Sequence, residues 1–132
     1  MGLITVASIE QVSGLGAEAC ERVLSYASRA ERAVRQVVTD EVYDEITARD
    51  TGDVDRQDLV TAEATLAYAY ALTLLNLRVT DKGGLVRAIG WDQTRQELMT
   101  PYQVKRLQRE LIESARALIR PLGPEKPPLY RI

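Results

Sequence analysis

The sequence predicts an all-α protein: a small bundle of three main helices, with a short insertion resembling a β-hairpin and an extended C-terminal arm. Apolar residues recur at steps of three and four over long stretches, which is the period of an amphipathic helix. Aromatic residues make up 5% of the chain and Phe is absent, so Ala, Leu and Val must form the core through closely packed helices. Gly and Pro are grouped between the periodic stretches, where they end helices.

The chain has 132 residues, which is enough for one domain with a buried core. Apolar residues account for 45% and charged residues for 27%, a mixture typical of globular proteins. We expect a helical domain over residues 1–120, with the insertion at about residues 78–99, and the arm over residues 121–132.

Charge is divided unevenly along the chain, although the formal net charge is only −2. Residues 1–63 hold 13 acidic and 6 basic side chains, a net of −7, whereas residues 64–132 hold 6 acidic and 11 basic side chains, a net of +5. The two halves could face each other within the bundle. Alternatively, they form two faces of a subunit, and copies associate head to tail, which closes into a ring when the rotation allows it.

The first half of the chain predicts a short N-terminal element and one long helix. Residues 3–13 suit either a short strand or one or two helical turns, and Gly14 and Gly16 should break that element. Residues 17–49 keep the helical period, with a bend or fraying expected around Thr39. The predicted apolar face of this helix consists of Cys20, Val23, Leu24, Ala27, Ala30, Val34, Val37, Val38, Val42 and Ile46.

The acidic run at residues 50–58 has some features of a calcium-binding loop, but the spacing of its residues does not fit one. After Asp53 and Asp55, that loop requires Asp or Asn at position 57, Gly at position 58 and Glu at position 64. This chain has Gln57, Asp58 and Ala64 instead. We therefore expect Asp53 or Asp55 to cap the following helix, and we predict no metal site.

The second main helix is predicted from about Arg56 to Leu77, and its small polar face indicates that it is covered on most sides. Two short antiparallel strands, residues 77–80 and 85–89, should follow it around a glycine turn. A lone hairpin is marginally stable in water, so this insertion must rest on the helices or on another chain. The predicted assembly-contact segment comprises Lys82, Gly83, Gly84 and Trp91.

The third main helix has the clearest boundaries. Thr100 suits the N-cap, Pro101 the first helical position and Gln103 the third, which together form a capping box, and Pro121 should end the helix. Four cations on this helix lie within about 60° of one another on a helical wheel. We call them the basic stripe: Lys105, Arg109, Arg116 and Arg120.

Three interpretations of the basic stripe are open. It contacts the acidic region of a neighbouring subunit, or it contacts the phosphates of a nucleic acid without reading their sequence. The third interpretation is a solvated face, partly offset by Glu110 and Glu113. No aromatic residue is interleaved with the four cations, so a stacking platform for single strands is disfavoured.

The last twelve residues contain four prolines and cannot continue the helix, so we expect an extended, partly polyproline II arm. Its apolar tip suggests docking on another protein, either by strand addition or by burial of Tyr130 and Ile132 in a groove. The residues predicted to dock are Pro124, Pro127, Pro128, Leu129, Tyr130 and Ile132.

The sequence contains few of the side chains that catalysis commonly uses. There is no His, and the single cysteine, Cys20, lies on an apolar helix face as an expected core residue. Carboxylate pairs at residues 40/44 and 41/45 should lie on a solvated face, and they would need a cleft to act as acid and base, which the sequence does not show. We therefore predict no enzymatic activity and no cofactor. The most apolar run, residues 64–77, is too short to span a bilayer, so no membrane partner is expected.

Three stretches and the terminal helix carry a resemblance to a known group. The stretches are SYASRAERAVRQVV, AEATLAYAYALTLLNLR and VTDKGGLVRAIGWDQTRQELM. Together they resemble the small helical head–tail connector (adaptor, or head-completion) proteins of tailed bacteriophages. The resemblance implies a non-enzymatic homo-oligomeric ring, commonly of twelve subunits, which lies under the portal and extends the DNA channel.

The same resemblance implies partners and a location. The partners would be the portal protein, the next tail or stopper protein, and passing double-stranded DNA without sequence readout. The protein would lie in the virion at the head–tail interface, and in the host cytoplasm during assembly. The arm would reach the portal, and the glycine-turned segment would line the channel or meet the next tail component. The alternative hypothesis is a small helical DNA-binding or regulatory module that uses the basic stripe.

Overall fold

The computed structural model describes residues 3–81 and 101–123, and the side chains of residues 3–75 and 101–123. Its described part is all-α, as the sequence predicts, and it contains no strand. The helices are α1 Val6–Ser13, α2 Ala17–Leu24, α3 Ala27–Val38, α4 Asp40–Thr47, α5 Val54–Asp81 and α6 Pro101–Ile119, followed by a 3₁₀ turn, Arg120–Leu122.

Helix α5 is the centre of the fold. Its 28 residues give it a length of about 42 Å, and α1, α2, α3, α4 and α6 all pack against it. Small side chains on α5 allow the neighbouring helices to approach closely. The prediction that this helix is covered on most sides is confirmed by its buried residues: Leu59, Ala62, Glu63, Ala64, Thr65, Leu66, Ala67, Ala69, Ala71 and Leu72.

The single long helix predicted for residues 17–49 is wrong, because this region forms α2, α3 and α4. The first break follows α2, where the Ser25 hydroxyl donates to the carbonyl oxygen of Arg22. The second break is at Thr39, whose φ of 81° turns the chain between α3 and α4. The apolar period survives both breaks, since Cys20, Val23, Val34, Val38 and Ile46 are buried in one core.

The N-terminal element is a helix and not a strand. Thr5 caps α1 by accepting a hydrogen bond from the Ser8 amide, and the Ser8 hydroxyl oxygen accepts one from the Thr5 amide. Gly14 ends α1 with a φ of 73°, a left-handed conformation that glycine adopts readily. The predicted break after residue 13 is therefore confirmed.

Helix α5 begins as predicted, since the Asp53 carboxylate accepts a hydrogen bond of 3.0 Å from the Asp55 amide. It continues to Asp81, so the predicted strand at residues 77–80 is wrong. Helix propensity differs by only a fraction of a kcal/mol between β-branched residues and good helix formers. The β-branched residues Val79 and Thr80 are thus insufficient to end this long helix. The rest of the predicted hairpin, including the assembly-contact segment Lys82, Gly83, Gly84 and Trp91, lies outside the described residues.

Helix α6 begins at Pro101 and ends at Ile119, before the 3₁₀ turn that contains Pro121, as predicted. Gly123 then passes against the end of α3: a Cβ atom at this position would lie 2.8 Å from the carbonyl oxygen of Val37. Thr100 lies outside the described residues, as does the predicted docking arm, Pro124, Pro127, Pro128, Leu129, Tyr130 and Ile132.

Candidate functional site

The basic stripe is exposed along its whole length. Lys105, Arg109, Arg116 and Arg120 are all exposed, and none of them forms an ion pair with another described residue. The opposing seam of α6 is buried, with Val104, Ala115 and Ile119 in the core. Lys105, Arg109 and Arg116 therefore share the exposed face of α6, and Arg120 follows as the first residue of the 3₁₀ turn.

The Gln108 side chain fixes α6 on α5. Its Nε2 atom donates a hydrogen bond of 2.8 Å to the carbonyl oxygen of Ala69 and lies 3.4 Å from Thr73 Oγ1. Because this amide bonds across the helix pair, it limits sliding of α6 along α5. The basic stripe is therefore presented from a fixed helix.

An exposed aromatic side chain lies at one end of the basic stripe, although none is interleaved with its four cations. Tyr102 is 73% exposed, and its spacing of seven residues from Arg109 places it within about 20° on the helical wheel. That spacing was the signal in the sequence, but the tyrosine was missed because it precedes the first cation. Exposed Glu113 borders the same surface, while Glu110 pairs with Arg106 at 3.5 Å.

Acidic side chains surround two arginines: Arg35, which lies on α3, and Arg49, which follows the end of α4. In the Arg35 cluster, the guanidinium lies 2.9 Å from Glu31 and from Asp40 and 3.1 Å from Asp44. In the Arg49 cluster, the carboxylates are those of Glu45, Asp53 and Asp55, at 3.1 to 3.2 Å. Each arginine meets three carboxylates, so both clusters keep an excess of negative charge.

The Arg35 cluster continues into the core through an aromatic ring. The Arg35 guanidinium lies 4.2 Å from the centre of the Tyr43 ring, a cation–π contact. Tyr43 is 4% exposed, and its hydroxyl donates a hydrogen bond of 2.7 Å to Glu63 Oε1. Arg35, Tyr43 and Glu63 therefore link α3, α4 and α5 from the surface to the centre of the fold.

Glu63 is a fully buried carboxyl group that sequence reasoning missed. Its second oxygen, Oε2, has no hydrogen-bond partner among the described residues. Desolvation raises the pKa of Glu63 to about 7, against the opposing effect of the Tyr43 hydrogen bond. Burial and the adjacent Glu63 also raise the pKa of Tyr43. The sequence signal was a single acid between Leu59 and Leu77, a stretch otherwise free of charge.

The Glu63 carboxyl does not line the groove beside the Arg35 cluster. That groove has a volume of about 460 Å³ and lies at the junction of α3 and α4, where its walls are formed by Arg32, Arg35, Gln36, Thr39, Asp40 and Glu41. A carboxyl separated from the groove cannot reach a bound substrate there. The chemistry available to Glu63 is the gain or loss of a proton beside Tyr43.

Cys20 lies in the core, as predicted, and burial raises the pKa of its thiol. Within residues 3–81 and 101–123, no group of three or more acidic or cysteine side chains is arranged to hold a metal ion. None of the helices in this part of the chain has the length and apolarity needed to cross a membrane. No family model, curated protein or solved structure matches the chain.

Proposed function

We propose that this chain is a structural subunit of a head–tail connector, which forms a ring between portal and tail and extends the DNA channel. One observation carries the proposal: the basic stripe is exposed and lacks ion pairs among the described residues, while the surface around α4 keeps excess negative charge. The two surfaces are complementary, as a head-to-tail contact between copies requires.

The charges on these surfaces make the contact sensitive to salt. One exposed ion pair contributes only about 0–1 kcal/mol, so several pairs must act together and apolar groups must contribute. At physiological salt the screening length is about 8 Å, so the attraction acts only when the two surfaces are close. Exposed Tyr102 supplies apolar area at the end of the basic stripe.

Within this proposal the remaining predicted regions contact other proteins. The docking arm would reach the portal, and the assembly-contact segment would meet the next tail or stopper protein or line the channel. Passing DNA would be contacted through its phosphates, without sequence readout. Twelve copies are expected from the resemblance to connectors.

A charge-reversal pair tests the head-to-tail contact. One variant replaces the four stripe cations with Glu, and the other carries Glu41→Arg and Asp50→Arg, at two exposed acids without ion pairs among the described residues. Each variant alone should fail to form rings with the portal in negative-stain images and native mass spectra. Mixed together, they should assemble as alternating copies.

Arg106→Gln serves as the control, because it removes an exposed cation of α6 outside the basic stripe. This variant should assemble like the wild type. Wild-type protein that stays monomeric with the portal at micromolar concentration would contradict the connector proposal. Rings formed normally by the stripe variant would contradict the head-to-tail contact while leaving a connector role intact.

A DNA-binding or regulatory module is the second candidate, and the four exposed cations of the basic stripe favour it. Arg and Lys contact the phosphates of a duplex without reading its sequence. This function predicts that the isolated protein binds duplex DNA with an affinity that falls as salt rises. A plot of the logarithm of the binding constant against the logarithm of the salt concentration should fall with a slope of about 0.9 for each phosphate contacted. Replacing the four stripe cations with Gln should flatten that slope. Equal DNA affinity of the wild type and the Gln variant at every salt concentration would contradict the DNA-binding function.

A further inference from the structure

We propose that the Glu63 carboxyl and the Tyr43 hydroxyl form a proton-dependent latch, which holds α4 against α5 when the carboxyl is neutral and loosens α4 when it is ionised. The latch does not depend on the proposed function. It rests on the geometry of one fully buried carboxyl, its single hydrogen-bond donor, and the short helix that carries this donor.

The surroundings of Glu63 favour the neutral carboxyl. Oε1 accepts from Tyr43, whereas Oε2 is buried without a partner among the described residues. An ionised carboxylate in this position would have one oxygen without any hydrogen bond, which is costly away from water. Opening of α4 would admit water to that oxygen, so ionisation favours the open state.

The charged groups that act on Glu63 come from α3. Glu31 raises the pKa of the carboxyl and Arg35 lowers it, and both act less strongly than burial. Arg35 is shared among three carboxylates, so its charge is largely committed to them. The other helices packed on α5 face the core with apolar side chains, such as Ile9 of α1, Val23 of α2 and Ala115 of α6.

Helix α4 is the element most easily released by ionisation. It has eight residues, and only Tyr43 and Ile46 of its described side chains are buried. Its N-cap is Thr39, whose φ of 81° and ψ of 156° lie in a region that favours glycine. Few buried contacts and a strained junction are features of segments that open locally while the rest of a protein stays folded.

The direction of the pH dependence follows from proton linkage. The carboxyl has an ordinary pKa of 4.5 when exposed and a pKa of about 7 when α4 is docked. Between these two pKa values the docked state binds more protons than the open state. The equilibrium constant for opening of α4 should therefore rise by about tenfold per pH unit and level off above the pKa of the docked state. Across the whole window the rise is roughly 300-fold.

Hydrogen exchange of the full-length protein tests the latch. Mass spectra of peptides covering residues 40–48 would be recorded between pH 4.5 and pH 8.5, with the intrinsic exchange rates corrected. In the wild type, the exchange of α4 should rise across the window while α5 stays protected. In Glu63→Gln, which cannot ionise, the rise should disappear.

Two further variants keep the test decisive. Glu41→Gln removes an exposed carboxylate of α4 and should retain the wild-type response. Tyr43→Phe keeps the ring but removes the bond that stabilises the ionised carboxyl, so the rise should begin at the same pH and level off at a higher pH. The carbon-13 chemical shift of the Glu63 carboxyl would report its titration directly. An equal rise in Glu63→Gln and wild type, or joint loss of protection in α4 and α5, would overturn the latch.

Discussion

The Tyr43 hydroxyl donates a hydrogen bond of 2.7 Å to Glu63 Oε1, while Glu63 Oε2 is buried without a partner among the described residues. The bond joins α4 to the N-terminal half of α5, across a core that otherwise consists mainly of apolar side chains. A carboxyl with one satisfied oxygen costs stability whenever it is ionised. This single pair therefore makes the stability of the fold depend on pH.

The substitution Glu63→Gln should remove a pH-dependent loss of stability. In the wild type, the stability that the neutral carboxyl provides is complete below pH 4.5 and is lost as the pH rises through about 7. A shift of this size corresponds to about 3 kcal/mol at roughly 1.4 kcal/mol per unit. Urea unfolding across this window should show the free-energy difference, variant minus wild type, rising by about that amount.

Exposed Glu41 provides the control for this measurement, because Glu41→Gln removes a carboxylate without changing the core. Its unfolding free energy should follow the wild-type curve within about 0.5 kcal/mol. A constant difference between Glu63→Gln and the wild type at every pH would show that the Glu63 carboxyl does not change its protonation on unfolding.

The substitution Tyr43→Phe should destabilise the protein more at high pH than at low pH. It leaves both oxygens of the buried carboxyl without a donor, and an unsatisfied buried polar group costs about 1–3 kcal/mol. Ionisation increases that cost, so thermal unfolding at pH 8.5 should show a larger loss than at pH 4.5. Tyr102→Phe is the matched control, since Tyr102 is 73% exposed and its loss of a hydroxyl should change the midpoint little.

Periodicity predicted the elements that depend on local pattern. The start of α6 at Pro101 and the end of α1 at Gly14 were predicted correctly, because proline and glycine restrict the backbone wherever they occur. The bend expected around Thr39 is confirmed by the turn between α3 and α4, whereas the break at Ser25 was not predicted, since serine does not usually stop a helix. Packing of α2, α3 and α4 around α5 decided those turns.

The candidate sites were predictable to different degrees. The basic stripe follows largely from residue spacing, because three of its cations share one face of α6 and Arg120 comes directly after that helix. The contact between Tyr43 and Glu63 joins residues on different helices, and helical periodicity says nothing about which turn of α4 meets which turn of α5. A solitary acid in an apolar run was visible in the sequence, but its partner could be identified only from the fold.

Substitutions of Thr39 should separate strain from capping. Its backbone conformation costs a non-glycine residue about 1–3 kcal/mol, and its Oγ1 accepts a hydrogen bond of 3.3 Å from the Val42 amide. Thr39→Ala keeps the strain and loses the cap, so the free energy of unfolding should fall by about 0.5–2 kcal/mol. Thr39→Gly relieves the strain and caps nearly as well, so it should stabilise the protein by about 1 kcal/mol. Chemical denaturation of both variants decides the sign, and a loss of stability in Thr39→Gly would mean that the backbone strain is small.

The substitution Gly123→Ala should weaken the packing of the 3₁₀ turn on α3. The new Cβ would lie 2.8 Å from the Val37 carbonyl oxygen, which belongs to helix backbone and cannot move aside as a flexible side chain would. Relief of this overlap must displace the turn, at a cost of about 1–3 kcal/mol.

Gly52→Ala is the control: no atom lies within 4 Å of its new Cβ, and its φ is not in the left-handed region. That change should leave stability unchanged or raise it by about 0.4–1 kcal/mol, because alanine restricts the unfolded chain. Thermal unfolding should therefore show a lower midpoint for Gly123→Ala and an unchanged or higher midpoint for Gly52→Ala, and equal shifts would contradict a tight contact between Gly123 and Val37.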